Sequence, residues 1–402
     1  MISLFGYGKT NKALSKILAP CNIYDDTFTI KSKDKFNNNL LPSSSFDPRD
    51  SVLEIVSPGI PPYSNLVKMA RNLVSEYDFI YSNKTPFSIW VSGTNGKTTT
   101  TQMMELLLKT HGGFSGGNIG TPLCEINKDA RIWVLETSSF TLHYTNKAYP
   151  NIYALLPITN DHISWHRNFK HYLDAKLKPL CLMDKDSSAV IPSDFKHTRE
   201  VKEYKGSLYL YRDASSLAKT FNIDIDKLYF KGAFLLDSIL ALGVGKILTN
   251  TVNYELINSF IIGEHRLEEI LDSKGRLFIN DSKATNIDAT LKAVEAYKDR
   301  AINLILGGDS KGISLEPLIT QLKTYDIKVF AIGRSARDIA DLCSKNNIPF
   351  LESKTLESAM DSITRVLNHD NICMLSPACA SLDQFTSYKD RGEVFKTYIK
   401  KI

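Results

Sequence analysis

The chain has 402 residues, 43% of them hydrophobic and 23% charged, with a formal net charge of +5. That length exceeds one ordinary core and predicts two or three domains, and the composition is globular rather than disordered or fibrous. Lys and Arg are mixed with Asp and Glu throughout instead of forming a basic stripe, which argues against a nucleic-acid binder. The six cysteines lack the spacing of a zinc site or a disulfide framework.

Short apolar runs alternate with helical stretches along the chain, the pattern of an α/β protein with mostly parallel sheets. The first block opens with a strand at Ile2–Phe5, a glycine turn (Gly6-Tyr7-Gly8-Lys9-Thr10), a helix to about Ala19 and a strand ending at Asp25. This resembles half of a dinucleotide-type unit without its third glycine. A strand from Val52 to Val56 then enters Ser57-Pro58-Gly59, a loop at a strand's C-terminal end, where ligands gather in open α/β sheets. No basic stretch with a long apolar core precedes the first strand, so a cytoplasmic, soluble chain is expected.

The second block begins near Pro86. Ser88–Val91 reads as a strand, followed by Ser92-Gly93-Thr94-Asn95-Gly96-Lys97-Thr98-Thr99 and a helix to about Thr110. A glycine turn there aims backbone N–H groups and a helix N-terminus at an anion; Lys97 supplies charge to the outer phosphates and Thr98 a hydroxyl to Mg²⁺. The usual first glycine of a phosphate loop is replaced by Val91. Glu136, at the tip of the Ile132–Leu135 strand, is placed to ligate metal. His162 closes Thr159-Asn160-Asp161 after the next strand and could touch metal or substrate. Lys176, read by itself, is a solvated lysine on a helix face. Lys185 to Asp213 reads as polar surface elaboration, and the most apolar helix, Ala233 to Val244, carries Asp237 and is too short to span a bilayer.

The third block, from about Gly263, has strands at Leu277–Ile279, Ile302–Leu306, Val329–Ile332 and Ile372–Leu375. Three polar loops follow such strands: Asp281-Ser282-Lys283-Ala284-Thr285-Asn286, opening a helix; Gly307-Gly308-Asp309-Ser310-Lys311-Gly312; and Ser376 through Phe385. Together they imply one shared cleft for a small polar substrate.

These motifs resemble the Mur ligases over nearly the whole chain, from Gly6 to about Phe395. Gly-Thr-Asn-Gly-Lys-Thr-Thr is general to those ligases and to folylpolyglutamate synthases. The Gly117–Pro122 run and Thr159–His162 are also of family type. The Asp281–Asn286 and Ser376–Phe385 loops look like the D-glutamate-adding branch. The resemblance implies a three-domain Mur ligase architecture: residues 1–85 as a Rossmann-like domain for UDP, 86–262 as a central ATPase and 263–402 as a Rossmann-like domain for the amino acid. It implies a monomeric, ADP-forming ligase of peptidoglycan precursor synthesis. Such an enzyme activates the carboxylate of UDP-N-acetylmuramoyl-L-alanine as an acyl phosphate, which the amine of D-glutamate attacks.

Carried over by motif, Gly93 to Thr99 hold ATP. Thr98, Glu136, His162 and Lys176 serve two Mg²⁺ sites, Lys176 as a carbamylated lysine. Thr10, Asp25 and Gly59 hold the uridine diphosphate; Asn118 and Ser138 touch the muramoyl-alanine portion. His265, Arg266, Asp281, Lys283 and Asp309 surround the nucleotide and the reacting phosphate, while Thr285, Lys311, Ser381, Leu382 and Tyr388 receive D-glutamate. The family's His-Asn-x-x-Asn helix start appears here as Gly232-Ala233-Phe234-Leu235-Leu236-Asp237-Ser238, so its adenine contacts are not carried over. Another ligase of this scaffold, or a nucleotide-binding regulator without ligase activity, is the alternative. A regulator has no reason to keep Glu136, His162, Lys176 and Lys283 together.

Overall fold

A computed structural model describes residues 1–127 and 129–402. The described chain divides into two compact units, Met1–Phe260 and Ile261–Ile402. The first unit carries two six-stranded sheets and the second carries one.

In the first sheet the strand order is Ser32–Lys33, Asn39–Pro42, Asn22–Asp25, Ile2–Phe5, Leu53–Val56, Leu73–Ser75; pairing is parallel except at the Ser32–Lys33 edge. The central sheet is parallel throughout. Its order is Ser207–Tyr211, Ser188–Pro192, Ile152–Leu155, Phe87–Ser92, Ile132–Glu136, Gly113–Gly117. A sheet covered by helices on both faces demands continuous apolar strands, and Ile89, Trp90 and Val91 are all fully buried beside Val134, Leu135 and Ala154. The residues from Lys185 to Asp213, expected as surface elaboration, instead supply two of these strands. Ala189, Val190 and Ile191 are fully buried, an apolar run short enough to be hidden by its polar flanks.

The apolar helix is likewise longer than the sequence predicts. It spans Gly232–Thr249, and its 18 residues are long and apolar enough to cross a membrane by length and composition. Every residue from Asp237 to Gly245 is buried within the unit, where the helix packs on the one following the phosphate loop. Gly243 allows close packing on its other neighbour, the Ala214–Phe221 helix, since a Cβ there would meet the Phe221 ring at 2.6 Å. Burial of this helix is its explanation as a core element.

The second unit orders its strands Glu268–Leu271, Leu277–Asn280, Asn371–Leu375, Ala301–Gly307, Ile327–Ile332, Phe350–Lys354, with only the first pair antiparallel. The Glu268–Leu271 and Phe350–Lys354 edge strands go unread in the sequence because their residues are half exposed and alternate weakly. The Asp281–Asn286 loop opens a helix as expected: the helix starts at Ile287, capped by the Asn286 side chain accepting from the Ala289 N–H.

Candidate functional site

The strand–turn–helix at Ser92 to Thr98 is built by two glycines that nothing else could replace. Gly93 has φ +137°, and a Cβ on it would stand 2.5 Å from the Leu156 Cβ. Gly96 has φ +82°, and its Cβ would strike the Asp237 carboxylate at 2.4 Å. The turn therefore needs glycine for both backbone angle and space. It leads into the Lys97–Leu108 helix, whose N-cap position is Gly96 and so offers no side-chain cap. Thr94 is tied down on the other side: its hydroxyl donates to the Thr159 carbonyl at 3.0 Å, and it lies 3.0 Å from the Tyr172 hydroxyl.

Glu136, at the end of the adjacent strand, is 2% exposed and joins two predicted site residues. Its Oε2 accepts from the Thr98 hydroxyl at 2.7 Å, and its Oε1 accepts from the Asn118 amide at 2.6 Å. The Lys97 ammonium donates to the Gly93 and Thr94 carbonyls at 3.0 and 2.8 Å. Ser138, two residues beyond Glu136, caps the Ser139–Tyr144 helix by accepting from the Thr141 N–H.

Lys176 is not the solvated lysine its helix position suggests. Its side chain is 1% exposed and reaches back to the phosphate loop, donating to the Ser92 hydroxyl at 3.2 Å and the Gly93 carbonyl at 2.8 Å. Burial, followed by the positive charge of Lys97, holds its pKa well below the ordinary lysine value, with Asp161 and Glu136 opposing. Tyr172, one turn earlier on the Phe169–Leu182 helix, puts its ring 5.0 Å from the Lys176 ammonium. His162 takes a left-handed backbone, φ +54°, with Nε2 3.5 Å from the Asp161 carboxylate and its ring against Phe140.

In the first sheet, Asp25 accepts from the Tyr7 N–H at 2.6 Å, locking the glycine turn to the next strand. The Gly6–Gly8 turn and Ser57 are in contact, since a Cβ on Gly6 would lie 3.1 Å from that of Ser57. Thr10 lies in the first helical turn after this loop. Gly59 is exposed and has open space around its Cβ, so glycine is not sterically required there.

In the second unit the three polar loops follow neighbouring strands and meet. Asp281 is buried and accepts from the Ser376 hydroxyl at 2.8 Å; loss of water pushes its carboxyl up to about 7. Asp309 and Ala380 exchange backbone hydrogen bonds at 2.9 Å, placing the Asp309 loop beside Ser381, and the Asp309 carboxylate accepts from the Lys311 N–H. The Lys283 ammonium sits 4.2 Å from the centre of the Tyr388 ring, and the Lys283 N–H donates to the His265 carbonyl. Leu382 projects outward, 72% exposed. Thr285 is half-buried one residue before the Asn286 cap, and Arg266 is half-buried beside His265.

Several supporting residues escape a sequence reading. Arg391 is fully buried, and its guanidinium donates to the Ser282 carbonyl (2.9 Å), the Ser282 hydroxyl (3.0 Å) and the Cys379 carbonyl (3.2 and 3.3 Å). It thereby ties the Lys283 loop to the Ser381 loop, and desolvation lowers its pKa to about 10. Ser92, Asp161 and Tyr172 support the central site in the same way. These three left a signal: Ser92 and Asp161 lie inside the motif runs, and Tyr172 stands four residues before Lys176, one helical turn.

Comparison with known proteins agrees with this geometry. Residues 91–271 match the Mur ligase middle domain family. A Campylobacter jejuni (strain RM1221) protein named UDP-N-acetylmuramoylalanine–D-glutamate ligase is 48% identical over 405 residues, with 100% of both chains covered. A Helicobacter pylori (strain HPAG1) protein of the same name is 46% identical, covering 100% of this chain and 99% of the relative. Among solved structures, MurF ligase from Thermotoga maritima in complex with ADP superimposes with a TM-score of 0.59 at 16% identity over 87% of this chain and 88% of that one. UDP-N-acetylmuramate-alanine ligase MurC from the same organism gives 0.57 at 14% identity over 98% and 99%; at such identities these two show the fold alone. With the phosphate loop, the buried Glu136 and Lys176 and full-length identity of this order, the chain belongs to the Mur ligase family, in its UDP-N-acetylmuramoylalanine–D-glutamate ligase branch.

Proposed function

We propose that this chain joins D-glutamate to UDP-N-acetylmuramoyl-L-alanine at the expense of ATP, forming ADP and phosphate in the cytoplasmic synthesis of peptidoglycan precursors. The observation that carries the reading is the buried pair Glu136 and Lys176 at a glycine turn, with Thr98 and Asn118 donating to the Glu136 carboxylate. The names of the full-length relatives support the substrates. The division of labour follows the family: residues 1–85 for the uridine diphosphate, 86–262 for ATP, and 263–402 for D-glutamate.

The chemistry follows from the residue types. A carboxylate resists attack by an amine, so phosphoryl transfer from ATP first makes it an acyl phosphate, and phosphate then leaves as the amide forms. No enzyme nucleophile is required. The protein must bring anions together, and Lys97 with the N-terminus of the Lys97–Leu108 helix in the first unit, and Lys283 in the second, each supply positive potential. Asn118 and Ser138 touch the muramoyl-alanine portion; Lys311 and Ser381 take the carboxylates of D-glutamate, beside Thr285, Leu382 and Tyr388. His265, Arg266, Asp281 and Asp309 line the nucleotide.

Oxygen donors suit magnesium, and Thr98 with Glu136 at 2.7 Å offers that donor set at the phosphate loop, with His162 at a second position. Held by these residues, magnesium would neutralise phosphoryl oxygens and so make the phosphorus a better electrophile. Lys176 fits a carbamate: carbon dioxide adds only to a neutral amine, and burial favours that form. The carbamate would turn a cation into an anion beside the metal.

The test measures phosphate release from ATP with UDP-N-acetylmuramoyl-L-alanine and, in turn, D-glutamate, L-glutamate or L-alanine. Release dependent on D-glutamate alone is expected; release with another amino acid overturns the substrate assignment. For the carbamate, intact-protein mass spectrometry should show an added carbon dioxide that Lys176→Ala lacks. That variant should lose nearly all ligation and regain part of it with small carboxylates in solution. Full activity of Lys176→Ala would remove Lys176 from the mechanism.

A further inference from the structure

Within the first unit, the loops that follow the Leu53–Val56 and Ile152–Leu155 strands meet along a seam. The Tyr63 hydroxyl donates to the Ser164 carbonyl at 3.3 Å, and the Tyr144 hydroxyl donates to the Ile60 carbonyl at 2.7 Å. Beneath them one apolar cluster takes Phe5, Tyr24 and Val56 from the first sheet and Tyr144 and Trp165 from the helices of the central one. On the surface of this seam lies Arg167, which none of the sequence motifs includes. Its guanidinium carbon stands 5.2 Å from the Tyr63 ring centre, its side chain is exposed, and it makes no ion pair among the described residues. Its backbone is left-handed at φ +70°, as is that of His162 at the other end of the same four-residue helix. Two non-glycine residues in that region within six positions cost free energy, and such strain gathers where a side chain must be aimed.

The geometry points to Arg167 as a further group on the diphosphate of the nucleotide-linked substrate, reaching it from the central side of the seam while Thr10, Asp25 and Gly59 hold it from the first sheet, with the Tyr63 ring holding the guanidinium in place. This rests on the ligase reading above. A substrate whose uridine end lies at the first sheet, and whose carboxylate must reach Glu136 and His162 in the central one, has to cross the seam. Between those two ends its negative charge is the diphosphate. A planar guanidinium matches phosphate oxygens with paired N–H donors, and a ring beneath it removes much of the rotamer entropy that an exposed arginine otherwise loses on binding.

The experiment is calorimetric titration of the full-length chain with UDP, with ATP as a separate control, in wild type, Arg167→Ala, Tyr63→Phe and Tyr63→Ala. Arg167→Ala should weaken UDP by about 10-fold or more, the scale of one lost charge-assisted pair, and leave ATP within twofold. Tyr63→Ala should reproduce most of that loss, whereas Tyr63→Phe, which keeps the ring, should stay near wild type. In turnover, KM for the UDP substrate should rise while KM for ATP and D-glutamate hold. UDP affinity unchanged in Arg167→Ala, or an equal loss for ATP, overturns the proposal, as does a wild-type result for Tyr63→Ala. Melting curves equal to wild type guard against misfolding. A wild-type chain that binds UDP but joins no D-glutamate would sink the ligase reading and leave this site standing.

Discussion

Replacing Arg391 with methionine separates positioning from stability. The side chain is fully buried and makes four hydrogen bonds to Ser282 and Cys379, so its removal orphans two buried carbonyls. Each orphan costs about 1–3 kcal/mol, or about 2–6 kcal/mol together. Against that stands relief from burying a cation. The fall of its pKa from the ordinary arginine value to about 10 corresponds to about 3 kcal/mol at 1.36 kcal/mol per unit. The two terms largely cancel, leaving a loss on the order of 1–2 kcal/mol and a drop of a few degrees in the melting of the second unit. Activity should not be so protected. The Lys283 and Ser381 loops are held to each other through this guanidinium, and misplacement by about 1 Å costs on the order of 100-fold in rate. The assay is steady-state ligation beside calorimetric melting. Expected is a kcat reduced by about 100-fold with KM for ATP little changed and the fold retained. A kcat within twofold of wild type would refute the positioning role, and a collapse of the second unit would refute the cancellation.

Gly93→Ala should abolish ATP binding while most of the fold survives, because the added Cβ meets Leu156 at 2.5 Å on a backbone that L-residues avoid; nucleotide titration checks this, and wild-type affinity would contradict it. Lys311→Ala and Ser381→Ala should each raise KM for D-glutamate by about 10-fold and leave KM for the UDP substrate alone, as read in initial-rate kinetics. Glu76, 5% exposed and away from the proposed chemistry, has its carboxyl pushed up to about 7 by loss of water, from an ordinary 4.5. The folded chain therefore holds a proton that the unfolded chain releases, and this contribution is full below pH 4.5 and lost as pH rises through 7. Glu76→Gln, which keeps an acceptor for the Cys124 N–H, should stabilise the first unit by about 3 kcal/mol at pH 8 and by much less at pH 5. Equal melting shifts at both pH values would show that Glu76 is ionised in the fold.

Local rules acting on neighbouring residues are enough to write part of this chemistry. The phosphate loop is legible because a tight turn, a helix start and a lysine all fall within Gly93–Thr98, and the three polar loops of the second unit are legible as breaks after apolar strands. Tertiary structure decided what depends on distant partners. Lys176 is a surface lysine by helical position and a buried amine only because its helix packs beneath Ser92 and Gly93. The Ser188–Pro192 strand reads as polar surface until it is seen between Ile152–Leu155 and Ser207–Tyr211. The Gly232–Thr249 helix satisfies the length and hydropathy of a membrane span, and only its packing on the Lys97–Leu108 helix makes it a core element. Arg391 and Arg167 gain meaning from loops that their sequence neighbours do not reveal. Burial is set by contacts between residues far apart in the chain, so it converts the same residue types into charges, neutral amines or anchors that no local pattern announces.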